Sequence, residues 1–500
     1  MELTLLICFH TLSLIAACNA LLTKRDPRSA LGWSLVLVFL PIVGLVLYLI
    51  FGIGRAHSRA EKIMRKLARI SAHYNSLHGE SPEFPPLPTE QERRMSRLGH
   101  AASGEYLCAG NSIEPIHNGD NAYPAMLEAI YKAQNHVYLS SYIFNYGHVA
   151  LAFITALEHA HKRGVDVRVL VDGIGALYSW RKPWRILAER GVPSLRFRPP
   201  SLFPPNFGIN LRSHRKCLIC DNVGFTGGMN IADGDVQDMK RFDQRVLEIQ
   251  KSNNVAQQPV AESKAWHSPL KRMPAIQDIQ FRCQGAVVGQ LRKAFLLNWS
   301  FCSGDLSFPP PVFYGEDGDC ICRVIMDGPG NDADAINDLM AGTIELAKNT
   351  VRIMMPYFLP TPELTGALRG AAQRGVDVRV ILPSENNLPF MSWASQRILP
   401  PLLKAGVRVW HQKPPFAHTK LLCVDSIYSL IGSSNMDARS LLLNFELDTE
   451  IYNAKLSQEL MDFMNSHIET GVEVREEDLK KQSLLVKLRN SVCWIFSPYL

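Results

Sequence analysis

Two long apolar runs open the chain, and alternating apolar and polar segments follow them. Leu3 to Leu22 is apolar apart from Thr, Ser, His10 and Asn19, and Ala30 to Ile53 carries no charge. Each run is long enough to cross about 30 Å of hydrocarbon as a helix. The pattern predicts a transmembrane helical hairpin over residues 1–55, with Pro41 kinking the second helix.

The first run has one feature of a signal peptide, because "IAAC" at 15–18 resembles a lipoprotein cleavage site. Its opening residues, "ME", carry no positive charge, which favours a retained helix. The loop between the runs holds three basic residues, whereas the flank after the second run holds six: Arg55, Arg59, Lys62, Arg65, Lys66 and Arg69. By the positive-inside rule, we expect a multi-pass membrane protein whose body is cytoplasmic. This basic flank and the polar, Pro-containing stretch after it, residues 56–105, are predicted to form a linker.

The body contains an internal repeat. "RGVDVRV" at 163–169 returns at 374–380, after an alanine-rich helical stretch each time. "HRKCLICD" at 214–221 is matched by "HTKLLCVD" at 418–425, and "GGMN" at 227–230 by "GSSN" at 432–435. The order of strands and helices predicts a duplicated α/β/α fold, with halves at 106–305 and 306–500 sharing one active site near a pseudo-twofold axis.

Composition adds little to this picture. Of the 500 residues, 47% are hydrophobic, and the net charge of +6 suits an anionic partner without identifying one. The eleven cysteines show neither disulfide-framework nor zinc-ligand spacing, so they are expected to be mostly reduced core thiols.

The two octets carry the candidate chemistry. Residues i and i+2 of a strand share a face, so His214 and Lys216 point the same way, as do His418 and Lys420. Near a pseudo-twofold axis, two imidazoles and two ammonium groups would converge on one pocket. One histidine can then attack phosphorus while the other protonates the leaving alcohol. The lysines, with Asn230 and Asn435 of the tight turns, would hold the phosphate, and no metal or other cofactor is expected.

A histidine nucleophile needs its far nitrogen held by a partner, usually a carboxylate. Asp243 lies 29 residues after His214, and Glu446 lies 28 residues after His418, so these two residues are predicted to orient the histidines.

Other residues of the motifs have two interpretations. Asp221 and Asp425 end the octets and are included among the candidate catalytic residues, although turn capping or a salt bridge is the alternative. Tyr142 and Tyr357 follow matching strands and would either contact substrate or pack in the core. The C-terminal "LLVKLRNSVCWIFSPYL" is either an amphipathic helix on the membrane or a helix that closes the fold.

The doubled H-x-K-x4-D motif resembles the signature of the phospholipase D superfamily. The hairpin, "MMPYFLP" and "GSSNMDARSLLLNFE" narrow the resemblance to bacterial cardiolipin synthases. This resemblance implies a phosphatidyltransferase of the inner membrane that converts two phosphatidylglycerols into cardiolipin and glycerol through a phosphatidyl-histidine. By motif position it further implies a nucleophile among His214 and His418, without deciding which of them attacks; we expect His214, with His418 as acid/base. The segment 251–278 and "RFD" in place of Trp-Arg-Asp depart from the family pattern.

Three other functions remain open. A phospholipase D hydrolase would use the same residues with water as acceptor, and the acceptor and oligomeric state stay undetermined. A membrane scaffold with a dead site would be expected to lack a histidine or lysine, but all four are present. A nucleic-acid phosphodiesterase is disfavoured, because no basic tract with interleaved aromatics occurs. The expected partners are therefore phospholipids and a membrane, and not nucleic acid.

Overall fold

The computed structural model describes residues 2–24, 27–48, 55–79, 85–200, 210–255, 275–312, 314–315, 317–329 and 335–497. Two compact units result, Met1–Ile63 and Met64–Leu500.

The first unit is helical. Its elements are α1 (Glu2–Thr23), α2 (Pro27–Phe39), α3 (Pro41–Leu47) and the start of α4 (Arg55–His78). The expected disturbance at Pro41 is confirmed as a break, because α2 ends two residues earlier and proline occupies the first turn of α3. Across the described part of the chain, no helix has both the length and the apolar character that a membrane span needs. The end of the predicted second span, residues 49–53, lies outside the described residues.

The segment predicted as basic flank and linker, residues 56–105, is largely helical. α4 and α5 (Glu90–Ser103) occupy it, and α5 begins with a capping box in which Thr89 and Glu92 bond each other's backbone N–H. Met95 of α5 is fully buried among core residues of the second half. The polar, Pro-containing sequence suggested a linker, but Arg93, Arg94 and Arg97 lie on the exposed face of a docked helix.

The first half of the repeat follows α5. Its elements are β1 (Cys108–His117), α6 (Asn118–Lys132), β2 (His136–Ser141), α7 (His148–Lys162), β3 (Asp166–Asp172), α8 (Pro183–Glu189), β4 (Ser194–Phe197), β5 (Cys217–Cys220), β6 (Val223–Gly227), α9 (Met239–Ser252), β7 (Ile276–Gln277), β8 (Ile279–Gln284) and α10 (Val287–Ser303).

The second half repeats this order. Its elements are β9 (Cys320–Asp327), α11 (Ala335–Glu345), β10 (Thr350–Met354), α12 (Pro362–Gln373), β11 (Asp377–Pro383), α13 (Pro389–Lys404), β12 (Arg408–Gln412), β13 (Phe416–Ala417), β14 (Leu421–Val424), β15 (Tyr428–Gly432), α14 (Ala438–Leu442), β16 (Glu446–Tyr452), α15 (Ala454–Thr470), β17 (Val472–Glu473), α16 (Glu476–Lys481) and α17 (Leu484–Ile495).

One sheet of fifteen strands runs through both halves. Its order is β17-β12-β11-β10-β14-β15-β16-β9-β1-β8-β6-β5-β2-β3-β4. Apart from β17 at one edge, the order is palindromic about the antiparallel pair β9 and β1, so the pseudo-twofold axis passes between these two strands. The predicted duplicated α/β fold is confirmed.

The repeated heptapeptide is a helix end joined to a core strand. In each copy a glycine with positive φ, Gly164 at 87° and Gly375 at 91°, follows the helix and turns the chain. The strand that follows, β3 or β11, pairs in parallel with its neighbour, β2 or β10. Helices cover both faces of these strands, which explains their nearly uninterrupted apolar sequences.

Candidate active site

The two octets meet across the pseudo-twofold axis, and each is fastened to the opposite half. The backbone N–H of His214 donates to the carbonyl of Phe445 over 2.9 Å. The N–H of His418 donates to the carbonyl of Gln277 over 2.7 Å. The backbone of each histidine is therefore held by a residue of the opposite half.

His214 is held by the second half through its ring as well. Its Nδ1 lies 3.0 Å from Oε2 of Glu446 and 3.0 Å from the carbonyl oxygen of Ser433. A carbonyl oxygen can only accept a hydrogen bond, so Nδ1 carries the proton and the lone pair of the neutral ring is on Nε2. Glu446 therefore contacts a histidine, although it is the one in the opposite half and not His418, from which its spacing was counted. In this geometry Nε2 faces away from the carboxylate with its lone pair.

Two serines fix the Glu446 carboxylate. Ser433 Oγ donates to Oε2 over 2.6 Å, and Ser440 Oγ donates to Oε1 over 2.9 Å. Both oxygens of this fully buried carboxylate are thus occupied, and the side chain has one orientation. Nothing in the spacing of the octets pointed to these serines.

The partner of His418 is Asp278. Its Oδ2 lies 3.0 Å from His418 Nδ1, and the carboxylate is buried. The prediction for Asp243 is wrong, because this residue lies on α9, where it contacts Nδ1 of His148 at 3.4 Å. Asp278 is the true counterpart of Glu446.

Strand register shows this correspondence. Gly227 pairs with Gln280, and the matching Gly432 pairs with Asp448, so Asp278 and Glu446 both stand two residues before these partners. Sequence spacing missed Asp278 because it follows His214 by 64 residues, while Glu446 follows His418 by 28. The extra length includes α9 and the segment 256–274, which lies outside the described residues.

The lysines lie beside the histidines, as the i, i+2 spacing predicts. Lys420 Nζ is 3.2 Å from both ring nitrogens of His418. Lys216 Nζ donates to the carbonyl of His214 over 2.7 Å. Lys420 is close enough to lower the pKa of Lys216, and both lysines lower the pKa of His214 and of His418, so all four side chains share one site.

Burial dominates the charges of the site. It lowers the pKa of Lys216 to about 7 and that of Lys420 to about 8, although Glu446 and Asp278 oppose the change. Burial and then Lys420 lower the pKa of His418 to about 4, and burial puts the pKa of His214 well below its ordinary value. Two desolvated lysines in one cavity favour an anionic ligand, because its charge restores what burial removes.

The two carboxylates differ. Burial raises the pKa of Glu446 to about 7. Burial acts in the same direction on Asp278, but the hydrogen bond from His418 and the charge of Lys420 outweigh it, and the pKa falls below its ordinary value. The two carboxylates therefore occupy equivalent positions in the repeat but differ in the direction of their pKa shifts.

Asn230 and Asn435 lie beside matching loops. Asn230 Oδ1 accepts from the N–H of Ile143 over 3.1 Å, and Asn435 Nδ2 donates to Ser440 Oγ over 3.4 Å. Ile231 and Met436, the residues after the two asparagines, form isolated β-bridges with Phe144 and Phe358. These phenylalanines lie just after Tyr142 and Tyr357. The predicted contacts of both asparagines with phosphate remain a prediction.

Tyr142 and Tyr357 flank the histidines. The ring centroid of Tyr142 is 5.1 Å from that of His214, and Tyr357 is 6.2 Å from His418. Lys216 Nζ lies 5.6 Å from the centre of the Tyr142 ring. Of the two interpretations, the structure favours a position at the wall of the site.

Asp221 and Asp425 do not contact this cluster, and their inclusion among the catalytic residues is corrected. Asp221 accepts from the backbone N–H groups of residues 134, 135 and 136, and Asp425 from those of residues 348, 349 and 350. Both have positive φ, at 50° and 52°, a conformation that Asp tolerates. They cap the loops that precede β2 and β10, at the opposite ends of the octets from the histidines.

Arg215 is a further residue that the motif did not reveal. It is buried, and it donates to the carbonyls of Glu446 and Asp327 over 2.9 and 2.8 Å and to Asn298 over 3.2 Å. All three lie on other strands or helices, so this arginine joins the halves directly behind His214. It stands between His214 and Lys216, in the segment just before β5.

Comparisons with known proteins agree with the geometry. The family model for the phospholipase D-like domain of cardiolipin synthase matches residues 126–258 and 340–468, together more than half of the chain. A second model, for the N-terminal segment of phospholipase D-nucleases, matches residues 11–52.

Curated relatives extend the match to nearly the whole chain. Cardiolipin synthase 1 of Bacillus cereus is 28% identical over 95% of this chain and 90% of its own length. The major cardiolipin synthase of Bacillus subtilis is 28% identical over 95% of both chains. The crystal structure of phosphatidylserine synthase from Haemophilus influenzae superposes with a TM-score of 0.57 at 13% identity, covering 82% of this chain and 100% of that one, which is a likeness of fold. The chain belongs to the cardiolipin synthase family of phospholipase D-like proteins.

Proposed function

We propose that this protein is a phosphatidyltransferase that makes cardiolipin from two phosphatidylglycerol molecules and releases glycerol. The observation that carries the proposal is the convergence of two His-Lys pairs, each histidine backed by a buried carboxylate, on one site. The names of the relatives specify the product.

In the first step, His214 Nε2 attacks the phosphorus of one phosphatidylglycerol. A P–N bond forms and the P–O bond to glycerol breaks, while protonated His418 gives its proton to the departing oxygen. Glu446 stabilises the positive charge that develops on His214, because its Oε2 accepts the Nδ1 proton. Lys216 and Lys420 balance the charge on the phosphoryl oxygens.

In the second step, a hydroxyl of another phosphatidylglycerol gives its proton to His418 and attacks the same phosphorus. The P–N bond breaks, cardiolipin leaves, and both histidines return to their starting states. Burial and Lys420 lower the pKa of His418. A bound phosphodiester is an anion and raises that pKa again, so His418 can carry a proton in the complex. Assignment of His214 as nucleophile is supported by its tautomer, which Glu446 and the Ser433 carbonyl fix together.

The N-terminal unit would hold the protein at the inner membrane that contains the substrate. Support comes from the many apolar side chains that α1 to α3 expose, among them Leu14, Leu22, Phe39 and Val43, and from the family match over residues 11–52. The basic flank at 55–69 favours a cytoplasmic body. Protease access to a C-terminal tag in spheroplasts would test this orientation, and cleavage from outside would contradict it.

The function is tested with the purified full chain in phosphatidylglycerol vesicles, with lipid products resolved by mass. Cardiolipin and an equal amount of glycerol are expected from the wild type, and neither from His214→Ala or His418→Ala. Phosphatidic acid as the main product would instead establish a hydrolase with water as acceptor. An inactive wild type with intact fold would favour the scaffold.

A further inference from the structure

A loop of the first half exposes large apolar side chains. Between β3 and α8, Tyr178 is 60% and Trp180 is 87% exposed, and Leu177 is exposed beside them. Soluble surfaces carry single exposed apolar residues, but three within four positions are uncommon. We call residues 177–180 the aromatic loop.

The polar groups of this loop turn inward. Ser179 is buried, and its Oγ accepts from the N–H of Tyr146 over 2.8 Å and donates to the carbonyl of Arg181. Lys182 Nζ donates to the carbonyls of Ser179, Ala176 and Leu177. The backbone is thus satisfied internally, while the apolar side chains face outward, the reverse of an ordinary surface loop.

The aromatic loop lies at the mouth of the active site. Just before it, Gly175 packs so closely on the carbonyl of Tyr142 that a side chain at position 175 would collide with it. Burial is the main cause of the raised pKa of Tyr142 and of Tyr357, and Tyr178 raises both further. Tyr178 therefore lies near both tyrosines. Those tyrosines flank His214 and His418, which puts the aromatic loop at the rim between the halves.

A second apolar patch lies on α17. Six of its exposed apolar residues fall within one third of the helix circumference: Leu484, Leu485, Leu488, Val492, Ile495 and, just after the helix, Phe496. Trp494 is also exposed but lies on another side, where Arg397 stands over its ring. The opposite side of the helix packs against the fold. Asn490 donates to Gln396 of α13 over 2.9 Å. One face of α17 therefore closes the fold, as one of the two interpretations of the C-terminal sequence predicts. The other interpretation, a helix on the membrane, remains a prediction.

α17 also lies near the site. Cys493 packs against the small cluster of Leu359, Met391 and Ala394, and Tyr357 packs against the same cluster. The patch on α17 is thus one layer of side chains away from the wall of the site in the second half. In the first half, the aromatic loop lies near the other tyrosine of the wall, Tyr142.

Both patches combine apolar side chains with positive charge. Residues 175–185 include Arg181, Lys182 and Arg185 and contain no acidic residue. Residues 484–497 include Lys487 and Arg489 and also contain no acidic residue. Amphipathic helices of this composition lie in the interface of anionic bilayers, and Trp and Tyr concentrate at the same depth.

We propose that the aromatic loop and the exposed face of α17 dock the mouth of the active site onto an anionic bilayer, with their apolar side chains inserted among the lipids. The proposal rests on the function above, because it explains how a phosphodiester at the bilayer surface reaches two buried histidines. Docking at both halves would keep the acyl chains in the membrane while the headgroup enters the site.

The test compares two substrates for the full chain, long-chain phosphatidylglycerol in vesicles and short-chain phosphatidylglycerol below its micelle concentration. We expect Leu177→Ser/Trp180→Ser and Leu485→Ser/Leu488→Ser each to lower turnover on vesicles by roughly tenfold or more, since one buried apolar side chain corresponds to about that factor. Turnover of the monomeric lipid should stay within about twofold, because neither patch touches the reacting groups. Leu306→Ser, at another exposed leucine, is the matched control and should leave both rates unchanged.

A second readout reports insertion itself. Vesicles with brominated acyl chains should quench wild-type tryptophan fluorescence, and Trp180→Phe should remove part of that quenching. Unchanged vesicle turnover in both double variants would overturn the proposal, and so would equal losses on both substrates, which would show a role in the fold or the site. A wild-type dimer that the variants dissociate would also overturn it, in favour of a second copy of the chain. An inactive wild type whose Trp180 is still quenched would contradict the proposed function and support docking.

Discussion

The carboxylate of Glu446, in the second half of the repeat, lies 3.0 Å from Nδ1 of His214, in the first. Asp278 and His418 form the reverse pair, also at 3.0 Å. Each half thus supplies one histidine and the carboxylate for the other histidine. Neither half contains a complete histidine–carboxylate pair of its own, so catalysis depends on the junction.

Replacing the partner of His214 should impair chemistry without removing the histidine. In Glu446→Gln, Ser433 and Ser440 can still donate to the side chain, but its negative charge is lost. We expect kcat for cardiolipin formation to fall by roughly 10²–10⁴-fold, as for the carboxylate of a catalytic triad. Steady-state rates on phosphatidylglycerol vesicles measure this.

Asp278→Asn and Asp243→Asn form a matched pair for the first half. The former should lower kcat by a comparable factor, because His418 loses its charged partner. The latter should stay within about twofold of wild type, since Asp243 contacts His148 instead. The opposite ranking of the two variants would restore the assignment made from spacing.

The roles of the histidines should be separable by trapping. In His418→Ala the acid is missing, and a phosphatidyl ester with an acidic leaving group needs no proton to depart. We therefore expect such an ester to leave a phosphatidyl adduct on His214 of this variant, detectable by peptide mass spectrometry. In His214→Ala no adduct should form. An adduct on His418 would mean that the two roles are exchanged.

Activity should depend on the charges of the two lysines. The pKa values of Lys216 and Lys420 are about 7 and 8 in the unliganded site, so both lose protons as pH rises through that range. kcat/KM reports the free enzyme, in which His418 must already gain a proton at neutral pH, so we expect its decline with pH to become steeper above pH about 7 as the lysines lose their charge. A bound phosphodiester holds the lysines protonated, so kcat should decline at higher pH. A kcat/KM that is constant up to pH 9 would contradict the assignment of both lysines to phosphate.

The octet aspartates should govern stability rather than chemistry. Asp425→Ala leaves three backbone N–H groups and Gln91 without their acceptor. We expect a loss of about 2–4 kcal/mol in the free energy of unfolding, visible as a lower Tm. The folded fraction should turn over at close to the wild-type rate. A large loss of kcat with an unchanged Tm would place this residue in the chemistry after all.

The sequence was most informative where chemistry and repetition coincide. The octets located both His-Lys pairs, because the i, i+2 rule for strands needs no tertiary information. The position of Asp278 could not be found by counting residues, since the insertion in the first half changes the count and leaves strand register intact.

Other misses have their own causes. α5 was taken for part of a linker because its polar residues are evident in the sequence. The burial of Met95 against α11 becomes visible only in the fold. Ser433 and Ser440 belong to an ordinary-looking turn and helix start, and only the fold brings their hydroxyls to Glu446. The aspartates were misassigned among the catalytic residues because an octet motif does not show at which end of a strand the ligand lies.

The palindromic sheet also bears on how the reaction is ordered. Two identical polypeptides meeting at such an axis would present equal histidines, and each turnover would have to begin by choosing one of them. In a single chain the two halves have different sequences, so the surroundings of the two histidines can differ. Ser433 donates to Glu446, but at the equivalent place in the first half stands Gly228, where a Cβ would lie 2.9 Å from Oδ2 of Asp278. Because the halves are fused, a substitution can change the hydrogen bonds of one histidine–carboxylate pair alone. In a homodimer encoded by one gene, the same substitution would change both pairs.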